Sequence, residues 1–261
     1  MFFELDGRVG APMLTLVRGL ARSSRYWLDS RGRLAANFRL VVLDNRGVGQ
    51  SDAPWGLYST ATMADDVAAV LDAAGVATTH VFGMSLGGMI AQQFALRHAG
   101  RVDRLVLGCT TPCIWRGERT ERESLLHFAR ALRVSREEAI RLTATRVLSA
   151  RAIAERPDIL EAWVRISREE PVRMSGFLGQ LAAGARTDVE SALPQIRAKT
   201  LVITGDVDRQ IPPSHSRRIA AAIRGARLEI LTGDGHDFTA EDSARACERI
   251  TEFLLERQPI P

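Results

Sequence analysis

Short apolar runs along the chain alternate with longer segments in which apolar positions recur every three or four residues. The runs at 13–17, 39–44, 80–83, 104–109, 200–204 and 227–231 predict β-strands. Most are continuously apolar, as expected of strands covered on both faces of a sheet. Over 62–74, Met63, Val67, Val70, Leu71 and Ala74 share one helical stripe, with Thr62 and Asp65 at capping-box spacing and Gly75 as the stop. A last helix, over about 241–255, turns Ala244, Cys247, Ile250 and Leu254 inward. The alternation predicts an α/β protein whose mainly parallel sheet carries helices on both faces.

That alternation breaks after Cys109. From Trp115 to about Arg186 no strand is evident, and helical patterns take over, one opened by the capping box Ser135 to Glu138 and another started by Pro157. No linker rich in Gly, Pro or Ser sets this stretch apart, and the strand pattern resumes near Lys199. The expected organisation is one α/β core, residues 1–114 and 187–261, with a helical cap inserted at 115–186.

Composition narrows the classes. With 261 residues, 46% hydrophobic and 25% charged, the chain buries a core without disulfides or metal staples. Of its 35 basic residues only Lys199 is lysine, and the net charge is +4. Residues 116–186 hold 14 Arg against 10 acidic residues, so the whole net charge lies in the expected cap. There is no run of like charges and no zinc-finger, RNA-binding or basic-zipper spacing, so a nucleic-acid partner is not expected. Most of the surplus reads as Arg and Glu at i, i+4 spacing; the sharper alternative is a cap Arg that faces a pocket and favours an anionic small molecule. Glu4 and Asp6 stand where a signal peptide requires basic and then apolar residues, and no apolar run approaches the roughly 18 needed to span a bilayer. Cys109, Cys113 and Cys247 lack metal-ligand spacing. A cytoplasmic protein with free thiols and no membrane partner is expected.

The chemistry concentrates after the strand at 80–83, where Gly83-Met84-Ser85-Leu86-Gly87-Gly88 leads into a helical pattern from Met89. Strand, sharp turn with Gly two residues either side of Ser, then helix is a nucleophile elbow. The glycines make room for the turn, and the N–H groups at the helix start face developing negative charge.

On these residues the chain resembles the α/β-hydrolases over nearly its whole length. The segment Leu43-Asp44-Asn45-Arg46-Gly47-Val48-Gly49-Gln50-Ser51-Asp52 is similar to that family's D-x-R-G-x-G-x-S-D loop. Gly205-Asp206-Val207-Asp208 followed by Pro212 resembles the segment that presents the acid, and Gly233-Asp234-Gly235-His236 the loop that presents the histidine. The resemblance implies a triad of Ser85, Asp208 and His236, in the family's chain order. Asp206 is the second candidate acid and reads better as a loop-forming residue. His80, His98, His127 and His215 read as packing or surface residues. The implied oxyanion hole joins the backbone N–H groups of Leu86 and Leu20. Where the family usually has His-Gly, this chain has Arg18-Gly19; Arg18 either anchors that loop or approaches a substrate carboxylate, and anchoring is the favoured reading. No metal or organic cofactor is implied.

A serine nucleophile argues against the epoxide hydrolases and haloalkane dehalogenases, which use Asp there. Cleavage of an ester, lactone or thioester through an acyl-enzyme is the default. The stretch 83–90 resembles the lactonase branch that includes the 3-oxoadipate enol-lactone hydrolases, alongside carboxylesterases. A carbon-carbon bond hydrolase, a cofactor-free perhydrolase and a ligand-binding protein without turnover are the alternatives. The expected pocket candidates are Arg18, Trp115, Phe128, Trp163 and Phe177, although packing between cap helices also accounts for the aromatic ones.

Overall fold

The computed structural model describes residues 1–116, 126, 130 and 133–256. Seven strands form one sheet in the order β1-β3-β2-β4-β5-β6-β7. They are β1 (Phe3–Gly7), β2 (Met13–Val17), β3 (Arg39–Leu43), β4 (Thr79–Met84), β5 (Val102–Gly108), β6 (Lys199–Gly205) and β7 (Arg227–Leu231). All neighbours run parallel except β1, which pairs antiparallel with β3. The edge strand β1 escaped the sequence pattern because it lies half exposed, with Glu4 and Asp6 turned to Arg31 instead of a core.

Strand periodicity divides the core into two halves. Leu14, Leu16, Leu40, Val42, Phe82, Val106, Leu201 and Ile203 point to one face. There they meet Leu34 of α1 (Asp29–Ala35) and Ala246, Cys247 and Ile250 of the C-terminal helix. Val17, Val41, Leu43, Val81, Leu105, Leu107 and Val202 point to the other. They meet α2 (Thr60–Ala73), α3 (Leu86–Arg97) and α8 (Pro213–Ala222). Each such aliphatic side chain contributes about 1.5–3 kcal/mol on burial.

The buried stripes follow the sequence pattern, and two helix starts are corrected. Helix α2 begins at Thr60, where the Ser59 hydroxyl accepts from the Thr62 N–H at 3.0 Å; Asp65 instead pairs with Arg97 and His98. The C-terminal helix α9 (Ser243–Leu255) starts after Asp242, whose carboxylate accepts from Arg245 N–H. Ala246 thus faces the core and Ala244 is exposed.

Between β5 and β6 lie α4 (Arg136–Val147), α5 (Ala150–Glu155), α6 (Pro157–Glu169) and α7 (Met174–Ala185). Ser135 caps α4 through the Glu138 N–H, and Pro157 opens α6, as the sequence predicts. Val147, Leu148, Ile159, Trp163 and Ile166 of this helical insertion pack with Tyr26 and Ala240 from the core. Helix α7 packs its backbone against the loop after β3: a Cβ on Gly176 would stand 2.1 Å from the Gly47 carbonyl oxygen. Among the described residues no helix is long and apolar enough to cross a membrane.

Candidate active site

The parallel register brings the C-terminal ends of β2, β4, β5, β6 and β7 to one edge of the sheet, with Val17 opposite Gly83, Met84 opposite Gly108 and Gly205 opposite Leu231. Every chemical motif read from the sequence leaves from that edge, where open α/β sheets hold their ligands.

Ser85 follows β4 directly and adopts φ 58°, ψ −122°, a conformation that L residues rarely tolerate. Its backbone is fixed on both sides. The N–H donates to Gly108 O at 2.9 Å, and its carbonyl accepts from Gly88 N at 2.9 Å and from the Thr110 hydroxyl at 2.7 Å. The flanking glycines are required by space: a Cβ on Gly83 would lie 2.3 Å from Gly87 O, and one on Gly87 only 2.0 Å from Val17 O. The turn therefore presses against β2, and Ser85 remains half exposed while its neighbours are buried.

The loop after β2 lies alongside. A Cβ on Gly19 would be 3.5 Å from the Ser85 hydroxyl oxygen. Asn45, from the segment after β3, donates to Arg18 O at 2.8 Å. Gln180 of α7 accepts from Ala21 N at 2.8 Å and donates to Arg46 O at 2.8 Å, so one insertion side chain ties together both loops beside Ser85. No periodic or motif signal marks Gln180, whereas Asn45 stands within the D-x-R-G-x-G-x-S-D-like segment.

Asp208 and His236 meet across the next loops. The His236 Nδ1 and the Asp208 Oδ2 are 2.8 Å apart and both side chains are buried. The other Asp208 oxygen accepts from Gln210 N at 2.7 Å and Ile211 N at 2.8 Å, so the carboxylate is held on both sides. The two loops are also locked to each other. Val207 N donates to Asp234 O, and the Asp206 carboxylate accepts from Gly233 N at 2.7 Å, the loop-forming role expected of it. Glu241, from the single helical turn Phe238–Glu241, accepts from Gly235 N and from Ser149 N, joining the histidine loop to the insertion. Burial pushes the Glu241 carboxyl up, against the hydrogen bonds from Ser149 and Gly235.

Electrostatics at His236 oppose one another. Burial alone would lower the imidazole pKa; the Asp208 carboxylate, with Cys109 adding in the same direction, overrides it and holds that pKa well above the ordinary histidine value. Cys109 follows β5 directly, in a left-handed conformation at φ 39°, and is buried, and burial raises its thiol pKa. Its Sγ lies with the Asp208 and His236 donor atoms inside a 4.8 Å group. These three could ligate a metal by residue type, but Asp208 and His236 hydrogen-bond each other, and three donors fall one short of a closed tetrahedral site.

The remaining candidates separate. Arg18 is buried with its Nη2 2.6 Å from Asp237 Oδ2 and its Cζ 4.7 Å over the Trp27 ring, so it anchors the loop and is not free to meet a substrate carboxylate. Trp115 is 63% exposed and its indole N–H donates to Ala185 O at the end of α7. Trp163 is fully buried against Tyr26, with ring centroids 6.4 Å apart, and Phe177 is buried on α7. Phe128 and His127 lie outside the described residues. His80 packs edge-on to Phe38, His98 pairs with Asp65, and His215 meets the Thr111 hydroxyl at 2.8 Å. Leu20 and Leu86 sit at the loop and helix start that flank Ser85.

Comparison with known proteins agrees with this geometry. A relative from Klebsiella pneumoniae (strain 342) named "Putative carbamate hydrolase RutD" is 30% identical over 244 residues, covering 90% of this chain and 88% of its own. The crystal structure of the enol-lactonase from Burkholderia xenovorans LB400 superposes with a TM-score of 0.86 at 26% identity, over 98% of this chain and 96% of that one. A thermophilic esterase from Thermogutta terrifontis gives 0.84 at 25% identity, over 97% and 92%. A sequence profile described as the alpha/beta hydrolase fold matches residues 12–243, and with the sheet order and the elbow on the page the chain belongs to the α/β-hydrolase family.

Proposed function

We propose that this chain is a serine hydrolase that cleaves an ester, lactone, thioester or carbamate of a small molecule through an acyl-enzyme on Ser85. The observation that carries the reading is the buried 2.8 Å contact between His236 and Asp208, set in loops at the sheet edge from which the strained Ser85 turn also leaves. A serine hydroxyl is too weak an acid to attack a carbonyl unaided. In the proposed reaction His236 Nε2 takes the Ser85 proton as Oγ bonds to the carbonyl carbon, and Asp208 stabilises the imidazolium through Nδ1–H. The carbonyl π electrons move to oxygen, and the N–H groups of Leu86 and Leu20 receive that charge. As the tetrahedral species collapses, the bond to the leaving group breaks and the His236 proton passes to it. Water, deprotonated by the same imidazole, then releases the acid and restores Ser85.

The names of the relatives support this class of bond: carbamates, lactones and esters all present an acyl carbon with a heteroatom leaving group. The insertion helices serve as the lid that limits water over the site. A panel of p-nitrophenyl esters of graded chain length, a lactone, a thioester and an N-substituted carbamate tests the reading. Turnover of at least one member is expected, lost by 10³-fold or more in Ser85→Ala. Turnover that persists in that variant contradicts it.

A further inference from the structure

The loop that carries the Leu20 N–H is a four-residue turn, Gly19–Arg22, closed by the Arg22 N–H on the Gly19 carbonyl at 3.3 Å. Within it only Ala21 has a positive φ, 55°. That is the pattern of a type II turn, whose third position ordinarily holds Gly. An alanine there is strained, and the type I form, with negative φ at the same position, suits it better. Such strain persists only where the surroundings over-determine it.

Here the insertion supplies the constraint. Gln180 of α7 is fully buried; its Oε1 accepts from the Ala21 N–H at 2.8 Å, and its Nε2 donates to the Arg46 carbonyl at 2.8 Å. Conversion from type II to type I rotates the peptide between Leu20 and Ala21, which takes the Ala21 N–H away from this acceptor. The helix that carries Gln180 cannot follow. A Cβ on Gly176 would stand 2.1 Å from Gly47 O, and one on Gly179 would stand 2.6 Å from the Tyr58 ring, so the backbone is seated directly on the core. At the other end of the loop Asn45 holds the Arg18 carbonyl at 2.8 Å. Between these two anchors Gly19 lies against Ser85, where an added Cβ would be 3.0 Å from the Ser85 Cβ.

We infer that Gln180 is a positioning residue for the oxyanion hole: by holding Ala21 in its left-handed conformation it keeps the Leu20 N–H aimed at the acyl oxygen. The insertion thereby completes the catalytic machinery as well as covering it. This inference rests on the serine-hydrolase reading. Without the Gln180 acceptor the alanine relaxes and the turn shifts, and a displacement of about 1 Å in a positioned group costs on the order of 10²-fold in rate. A glycine at position 21 has no such tendency, because positive φ costs it nothing.

The test is a double-mutant cycle of Gln180→Met, which keeps the side-chain bulk without either hydrogen bond, and Ala21→Gly, on a p-nitrophenyl ester. With alanine at 21, Gln180→Met should lower kcat by about 10- to 100-fold and leave KM within about threefold, since the affected donor acts in the transition state. With glycine at 21, the same substitution should cost about threefold or less. A trifluoromethyl ketone, which adds to Ser85 as a hemiketal bearing the same oxyanion, should lose affinity in step with kcat. Ala21→Pro removes the N–H and forbids positive φ without touching α7; it should match the kcat loss, and it decides alone if Gln180→Met does not fold. A loss carried by KM, an equal loss in both backgrounds, ketone affinity that stays at the wild-type value, or unchanged kcat in Gln180→Met or Ala21→Pro overturns the inference. Where Ser85→Ala is inactive, any of those results leaves the hydrolase reading standing. If wild type turns over no ester, or Ser85→Ala keeps the activity, the hydrolase reading fails and the inference falls with it.

Discussion

At the scale of single residues, the buried contacts divide into those that the chemistry requires and those that position it. Asp208 fixes the His236 tautomer, so Asp208→Asn should lower kcat by about 10³- to 10⁴-fold with little loss of fold. Ester kinetics and a thermal melt check both halves of that statement. Arg18 acts differently. Replacing it by Met leaves the Asp237 carboxylate buried without its cation, and breaking a buried pair in this way costs about 3–5 kcal/mol. Denaturant unfolding of Arg18→Met should therefore show a large fall in stability, larger than that of Asp237→Asn with Arg18→Met together. The partner of Arg18 lies 219 residues away in sequence, which is why its choice between anchor and substrate ligand was open until the loops were seen together. Ser85 was legible because its turn has local spacing requirements; Gln180 was not, because the two loops it ties together lie far from it in sequence.

Among elements, the legible ones are those that the sheet buries on both faces. β2, β4, β5 and β6 carry continuous apolar runs because helices cover both sides, and their bounds follow the pattern within one or two residues. β1 lacks that signal, since an edge strand with exposed acidic residues has no face committed to a core. In helix α9, Cys247, Ile250 and Leu254 are buried as the pattern predicts, while the helix starts at Ser243 after its cap Asp242, which leaves Ala244 exposed and turns Ala246 inward. The seating of α7 on the core has a sharp steric test. Gly176→Ala sets a Cβ 2.1 Å from Gly47 O, backbone that cannot turn aside, so the helix carrying Gln180 must shift. Activity should fall at least tenfold while circular dichroism of the sheet and helices stays near wild type.

For the whole molecule, pH couples activity to stability through His236. Its folded pKa is raised above the unfolded value of about 6.5, so the proton is bound more tightly in the native state. That stabilisation is complete below about pH 6.5 and is lost as pH rises through the folded value. Activity requires the neutral imidazole and so rises over the window in which this stabilisation is lost. kcat/KM should climb with a midpoint above 6.5, and Tm should decline over the same interval, more in wild type than in Asp208→Asn. The charge distribution also becomes concrete at this scale: much of the arginine surplus is engaged in ion pairs and carbonyl contacts that bind the insertion to itself and to the core.

The most direct test of the central claim is peptide mapping by mass spectrometry after reaction with a fluorophosphonate. The expected result is one adduct per chain on the Ser85 peptide, absent in Ser85→Ala and formed far more slowly in Asp208→Asn. A folded wild type that stays unlabelled, or an adduct that survives in Ser85→Ala, would contradict the assignment of Ser85 as nucleophile.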